Sequence, residues 1–522
     1  MVKLFAEIAP LRYELKQYRP RQSIALVPTM GALHRGHLSL IERAREENEI
    51  VVVSIFVNPL QFGPNEDFQQ YPRTLERDRD ICDRAGVDVI FAPNAAEMLG
   101  DPNTSSEDTP PAPLRERTVV IPPQSMTRHL CGRSRVGHFQ GVATIVTKLL
   151  DIVQPDRAYF GQKDAQQLAI VRRLVADLNL PVEIVGCPIV REASGLAMSS
   201  RNRYLTDEQK QEAAALYRSL CKARQIFRGG ERSAAAIIAT VKAELSAIEA
   251  IELEYCELVE PTTLKPLETI EESGLLAVAA RVGPTRAIDN IMLHDRQAIV
   301  AIDGPAGAGK STVARLVARE LGLMYLDTGA MYRAVTWLLR DRDIPLDDEA
   351  AVAEVVAEAE IRLQVPDDDP QAPCPVWIND RDVTEAIRSL DVTAHVSAVA
   401  ALGCVRRYLL KQQQRYGRQG GVVAEGRDIG THVFPDAELK IFLTASVEER
   451  ARRRHQDLAD RGEGQIGLER LARDLQERDR KDSTREIAPL TKAPDAIEIE
   501  TDGLSIEQVV RAIVDRYRDR HL

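Results

Sequence analysis

Short apolar runs recur along the chain, each closed by a polar, glycine-bearing turn and several followed by apolar residues at helical spacing. Residues 23–27, 50–57, 158–160 and 182–190 predict strands, and helical periodicity begins near Leu38. After Thr206 the pattern is helical again: Asp207 and Glu208 open a first turn, and Ala213, Leu216 and Leu220 fall on one face. Residues 253–259 alternate like a half-exposed strand in which Cys256 is packed, residues 281–293 read as one further strand, and residues 298–302 form another apolar run followed by a helix over 312–321. Strands alternating with helices predict an α/β chain built on parallel sheets.

The pattern also divides the chain. The run at 298–302 leads directly into Asp303-Gly-Pro-Ala-Gly-Ala-Gly-Lys-Ser-Thr312, a phosphate-binding loop between a strand and a helix. Such a loop follows the first strand of its domain, so everything ahead of it belongs to a different unit. The expected boundaries are 1–293, itself split into 1–190 and a smaller 191–293, and then 294–522, joined by the short stretch 294–297. Residues 100–114 are rich in proline, serine and acidic residues and predict a mobile surface loop.

Composition narrows the function classes. A length of 522 residues exceeds one core, and 44% apolar with 28% charged residues is ordinary globular composition. A net charge of −11 and a pI near 5.5 argue against a general nucleic-acid or membrane-surface binder, which needs a basic face. Seven cysteines stand singly, without zinc spacing or a disulfide framework, which fits a reducing cytoplasm. No leader-like core opens the chain and no run reaches the ~20 apolar residues of a membrane span, so a soluble cytoplasmic protein is expected.

In the first unit, polar groups gather where strands end, the edge at which open α/β sheets bind ligands. His34 and His37 flank Gly36 at a helix start, suited to phosphate oxygens that gain charge; alone, a His-x-Gly-His string is as compatible with turn chemistry. Asn58 and Gln61 follow the second run, Lys163 follows the third, and two serines followed by Arg201 come after the fourth.

Several motifs in this half, taken in order, resemble the pantothenate synthetase (pantoate–β-alanine ligase) family: Pro28-Thr-Met-Gly-Ala-Leu-His-Arg-Gly-His37, Phe56-Val-Asn-Pro-Leu-Gln-Phe-Gly63, Tyr71-Pro-Arg-Thr74, Gly137-His-Phe-Gln-Gly141, Gly161-Gln-Lys-Asp164 and Met198-Ser-Ser-Arg-Asn202. The resemblance implies a Rossmann-like nucleotidyltransferase domain with a small α+β lid. It also implies a reaction in which pantoate attacks the α-phosphate of ATP and β-alanine then displaces AMP. ATP would be met by Met30, Gly31, His34, Gly36, His37, Gly161, Gln162, Lys163, Asp164, Val190, Met198, Ser199, Ser200 and Arg201. His34, His37 and Lys163 would be catalytic, with His37 stabilising the transition state. Gln61 and Gln167 would hold pantoate or β-alanine, and Asp78 would help hold magnesium. The family also suggests a homodimer through this half.

In the second unit the loop is expected to hold the ATP phosphates through the backbone of 307–311, with Gly304, Gly307 and Gly309 shaping it, Lys310 bridging phosphate oxygens, Ser311 taking a magnesium ion, and Thr312 among the ATP-binding residues. The loop alone does not separate a GTPase, an ATPase motor and a small-molecule kinase. Asp327-Thr-Gly-Ala-Met-Tyr-Arg333, Val422-Val-Ala-Glu-Gly-Arg-Asp428 and the arginine clusters at 450–454 and 478–485 favour a nucleoside monophosphate acceptor. Together with Val376-Trp-Ile-Asn-Asp-Arg-Asp-Val-Thr384, they resemble the bacterial cytidylate kinase family, a P-loop kinase with a parallel sheet and a small inserted β domain. That resemblance places CMP or dCMP on Thr328, Arg333, Ser397, Arg406, Arg427, Asp428, Arg478, Asp482 and Arg485. It brings Arg450 and Arg454 over the ATP phosphates on a closing lid helix, with Mg²⁺ accompanying ATP at both sites. Two rivals stand beside this bifunctional reading: a kinase with a non-catalytic ATP- or pantoate-sensing first half, and a P-loop switch or scaffold.

Overall fold

The computed structural model describes residues 2–19, 22–63, 66–100, 118–364, 374–460, 467–484, 488–493 and 495–519. The expected loop at 100–114 therefore lies, apart from Gly100, outside the described residues. The chain separates into two units, Met1–Asp295 and Arg296–Leu522.

The first unit is built on a six-stranded parallel sheet of β1 (Lys3–Phe5), β2 (Ile24–Thr29), β3 (Ile50–Ile55), β4 (Val89–Phe91), β5 (Arg157–Gly161) and β6 (Glu183–Cys187), in the order β1-β4-β3-β2-β5-β6. The continuous apolar runs have a direct cause. Ile24, Leu26, Val52 and Phe160 pack into one cluster, while the alternating Ala25, Val27, Val53 and Tyr159 pack into another, so each central strand is buried on both faces. The order reverses between β2 and β5, which opens a crevice at their C-terminal ends.

Beyond residue 188 the unit carries helices and an antiparallel sheet of β7 (Ile251–Val259), β8 (Ser273–Val282) and β9 (Thr285–His294). Its own core gathers Leu216, Leu220, Ile237, Val278 and Leu293. The expected single strand over 281–293 is instead a hairpin: Val282 pairs with Thr285 across Gly283-Pro284, and Gly283 has φ +53°. A proline with no N–H and a glycine in the left-handed region end one strand and start the next.

The second unit holds a five-stranded parallel sheet of β10 (Ile299–Asp303), β11 (Met324–Asp327), β15 (Val422–Glu425), β16 (Leu439–Thr444) and β17 (Ile497–Glu500), ordered β11-β15-β10-β16-β17. Ile299 and Ala301 face one core and Val300 and Ile302 the other. A separate three-stranded sheet, β12 (Ile361–Leu363), β13 (Val376–Ile378) and β14 (Arg381–Asp382), contains Trp377. No helix among the described residues is long and apolar enough to cross a membrane.

Candidate active sites

In the first unit a cleft of about 1150 Å³ opens at the ends of β2 and β5, lined by Met30, His34, Gly36, His37, Gln61, Gly161, Lys163, Asp164, Gln167, Val190, Met198, Ser199, Ser200 and Arg201. Gly31 and Gln162 stand behind this lining: Gly31 bends the backbone at φ +80°, and the Gln162 carbonyl accepts from Asn290 Nδ2 at 3.0 Å.

The helix Arg35–Glu47 starts on its own histidines. His34 Nδ1 accepts the N–H of Gly36 at 3.1 Å, and His37 Nδ1 accepts that of His34 at 3.4 Å. With Nδ1 an acceptor on both rings, each neutral imidazole carries its proton on Nε2. The rings stack with centroids 4.1 Å apart. Burial pushes His37 down to about 3, with help from His34 and Lys163, and pushes His34 down to about 4, so both are neutral donors near pH 7.

Lys163 donates to the Met198 carbonyl at 3.2 Å, and burial lowers its pKa. Asn290 on β9 holds the Lys163 carbonyl at 2.9 Å, so the lid sheet positions this loop. Ser199 accepts the N–H of Arg201 at 3.3 Å, Ser200 meets Tyr71 OH at 3.2 Å, and Arg201 forms a two-pronged pair with Asp67 at 2.8 Å. Asn58 donates to Gln61 Oε1 at 3.1 Å, and Gln61 Nε2 reaches Met30 Sδ at 3.0 Å.

Asp78 does not reach the cleft as a metal ligand. It is fully buried; its two oxygens accept the N–H groups of Ala32 and Leu33 at 2.8 Å and the Thr74 hydroxyl at 3.1 Å. Its work is to hold the turn that carries the histidines.

A second network escaped the sequence reading of roles. His138 Nδ1–H donates to the Gln61 carbonyl at 2.8 Å, Arg135 Nη1 lies 3.2 Å from His138 Nε2, and Arg135 pairs with Glu66 at 2.5 Å. Gly141 in Gly-His-Phe-Gln-Gly was the available signal, because a Cβ there would come 2.2 Å from the Leu60 oxygen. Arg286, on the hairpin, also lines the cleft.

In the second unit β10 delivers the phosphate loop. Gly304, Gly307 and Gly309 have φ +147°, +78° and +84°, and a Cβ on Gly304 would come 2.1 Å from the Leu443 oxygen. Lys310 is buried, donates to the Pro305 carbonyl at 2.7 Å, and is pushed well below the usual lysine range by burial and by the Arg427 charge. Ser311 and Thr312 are exposed at the helix start. Glu425, which sequence analysis gave no role, ends β15 in register with Ile302, and accepts from Tyr325 OH at 2.6 Å. Burial, then the nearby Asp327, raises its pKa.

Around the loop, Arg406 pairs with Asp428, both buried, and Arg427 pairs with Asp482 at 2.8 Å. Thr328 donates to the Glu425 carbonyl at 2.7 Å, Arg333 lies 3.3 Å from Asp327, and Ser397 sits half-buried in the helix Leu390–Val399. Arg478 is lowered to about 10 by burial and the Arg427 charge; its Nε, like that of Arg333, is buried without a partner, as a guanidinium awaiting an anion would be. Arg485 lies outside the described residues.

The two lid arginines differ from expectation. Arg454 is exposed on the helix Val447–Asp460, but Arg450 is buried and bound to the Ala306 carbonyl at 2.9 Å, the Ala445 carbonyl at 3.1 Å and Asp479 at 2.6 Å. Arg450 thus braces the loop's backbone and is not poised as a swinging phosphate contact.

Two doubly flanked parallel sheets, one with an imidazole–lysine cleft and one with a P-loop beside clustered guanidiniums, define two ATP-using α/β enzyme units in one chain. The pattern of the pantoate-beta-alanine ligase family matches residues 3–292, and that of the cytidylate kinase family residues 300–519. The bifunctional pantoate ligase/cytidylate kinase of Trichormus variabilis is 63% identical over 498 residues, covering 95% of this chain and 92% of its own. That of Trichodesmium erythraeum is 56% identical over 525 residues, covering 99% and 98%. A solved pantothenate synthetase from Thermus thermophilus is 46% identical with a TM-score of 0.51, over 56% of this chain and 99% of that one. The chain belongs to the bifunctional pantoate ligase/cytidylate kinase family and has both enzyme activities. The sensor reading of the first half is not favoured.

Proposed function

We propose that the first unit condenses pantoate with β-alanine through a pantoyl adenylate, releasing pyrophosphate and then AMP. The observation that carries this reading is the convergence in one cleft of two Nε2–H imidazoles, Lys163 and the Ser199-Ser200-Arg201 turn. Displacement at phosphorus chiefly requires positioning and neutralisation of charge, and these are the donors for it. His37 stabilises the departing phosphates, His34 and Lys163 contact the nucleotide, and Gln61 and Gln167 orient the carboxylate substrate.

The second unit transfers the γ-phosphoryl group of ATP to CMP or dCMP. Lys310 leaves the Pro305 carbonyl for the phosphates, Arg333, Arg427 and Arg478 take the acceptor phosphate, and Asp428 with Arg406 and Ser397 reads the cytosine edge. Asp482 and Arg485 complete the acceptor site, and Arg454 contributes charge from the lid helix. Magnesium would accompany ATP in both units; in the kinase the Ser311 hydroxyl and the Glu425 carboxylate are oxygen donors of the kind this hard cation takes.

The ligase resemblance supports a homodimer through the first unit, and the unpaired cysteines support a cytoplasmic location. The decisive assay gives purified protein both substrate sets. AMP, and pyrophosphate beyond one equivalent per site, should form only with pantoate and β-alanine both present, and ADP with CDP only with CMP. Tight pantoate binding without turnover would refute the ligase reading, and solution mass tests the dimer.

A further inference from the structure

The acceptor side of the kinase unit has an anchor with no part in the roles above. Asp303, the last residue of β10, is buried, and its Oδ1 accepts the N–H of Ile429 at 2.8 Å while its Oδ2 accepts that of Gly430 at 2.7 Å. These two amides open the π-helical turn Ile429–Val433, in which the Asp428 carbonyl accepts from His432 at 2.8 Å and Val433 at 3.1 Å. Turns of this widened kind are rare and gather at functional sites. The N–H of Ile429 belongs to the same peptide plane as the carbonyl of Asp428, so the carboxylate of Asp303 fixes the backbone from which the Asp428 side chain departs. The fit is close: a Cβ on Gly430 would lie 3.3 Å from Asp303 Oδ2 and 3.2 Å from Lys440 Cδ. Two adjacent charge-assisted bonds hold both peptide orientations, where a neutral cap would hold one.

We propose that Asp303 is a positioning residue for the acceptor pyrimidine: it locks the π-helical turn that aims Asp428, so the strand feeding the ATP loop also sets selectivity for the base. This rests on the reading of Asp428 as the group that meets cytosine.

The test is Asp303→Asn in the full chain. The near-isosteric amide keeps one acceptor and sets an N–H against the second amide. The KM for CMP should rise about tenfold or more, and the preference for CMP over UMP in kcat/KM should fall about tenfold, with the KM for ATP within about twofold; tenfold is the loss expected for about 1.4 kcal/mol, the scale of one charge-assisted bond. Unchanged CMP selectivity in a folded variant overturns the proposal, as does an equal rise in both KM values, which general loosening would produce. If the variant does not fold, hydrogen exchange on the unaltered chain decides: saturating CMP should slow the Ile429 and Gly430 amides by about tenfold or more, beyond any effect of UMP, and equal protection by both overturns it. An unaltered chain that phosphorylated some other acceptor and not CMP would refute the reading of the site instead.

Discussion

Arg450 and Asp479 grip the same residue of the phosphate loop from two helices. Arg450 Nη1 donates to the Ala306 carbonyl at 2.9 Å, Asp479 Oδ1 accepts the Ala306 N–H at 3.3 Å, and the two side chains pair at 2.6 Å. Arg450 is buried and Asp479 half-buried, so removing the arginine leaves a partly solvated carboxylate and the Ala306 carbonyl without their partner, at a cost of about 1–3 kcal/mol. Arg450→Ala should therefore lower the thermal midpoint of the kinase unit and raise its KM for ATP by about tenfold or more. Differential scanning calorimetry with initial rates checks this, and an unchanged KM would mean that the grip does not shape the loop.

His37→Ala should lower pantothenate formation by about 10²–10³, the scale for losing one donor to a developing phosphate charge. Phosphorylation of CMP should stay within about twofold. Lys310→Ala should do the reverse. Silencing of both activities by either change in folded protein would contradict two independent sites.

The stability of the first unit should decline in mild acid. Burial, then the Arg135 charge, pushes His138 down to about 3. Its pKa is depressed on folding, so below the unfolded value near 6.5 the unfolded chain takes up a proton that the folded chain refuses. This contribution is fully present above about pH 6.5 and falls toward pH 3 by about 1.4 kcal/mol per pH unit, and the likewise depressed His34 and His37 add their own to it. Urea midpoints between pH 7 and 5 check the slope, and His138→Gln should remove about 1.4 kcal/mol per pH unit from it while leaving the share of the other two histidines.

Gly141→Ala should injure the ligase through a substrate-holding segment. The added methyl would meet Leu60 O at 2.2 Å and Gln61 N at 2.8 Å, both backbone atoms that yield only if the 58–61 turn moves. A loss of about 1–3 kcal/mol in stability and a rise of about tenfold or more in the KM for pantoate are expected, with kinase rates untouched. Steady-state kinetics on both substrate sets would detect it.

Much of this was legible in the chain because strand ends carry the chemistry. Apolar runs located β2, β3, β5 and β10, and the polar residues directly after them are the ones that line the cleft or form the loop. What sequence could not tell was which polar side chains are occupied by other protein groups. Asp78 looks like a metal carboxylate and Arg450 like a phosphate contact, but each is occupied by backbone groups supplied from residues distant in sequence. Glu425 and Asp303 were hidden for the same reason: their partners come from neighbouring strands and turns, and only register brings Glu425 opposite Ile302. The 281–293 misreading was local, since the Gly283-Pro284 breaker stood in plain view within an apolar run.

That hairpin has a mechanical consequence. Its tip, Pro284 and Thr285, forms part of the ligase cleft wall, while its arms pair without interruption from Ser273–His294 to Val282–Thr285. A wall clamped along such a ladder cannot admit a bulky nucleotide by peeling back a few residues. The ladder behaves as one plate, and it is anchored: Asn290 donates to the Gln162 and Lys163 carbonyls, and Leu275, Ala277 and Ala279 pack with Phe139 and Ile170. Any displacement of that wall therefore carries the Lys163 loop with it.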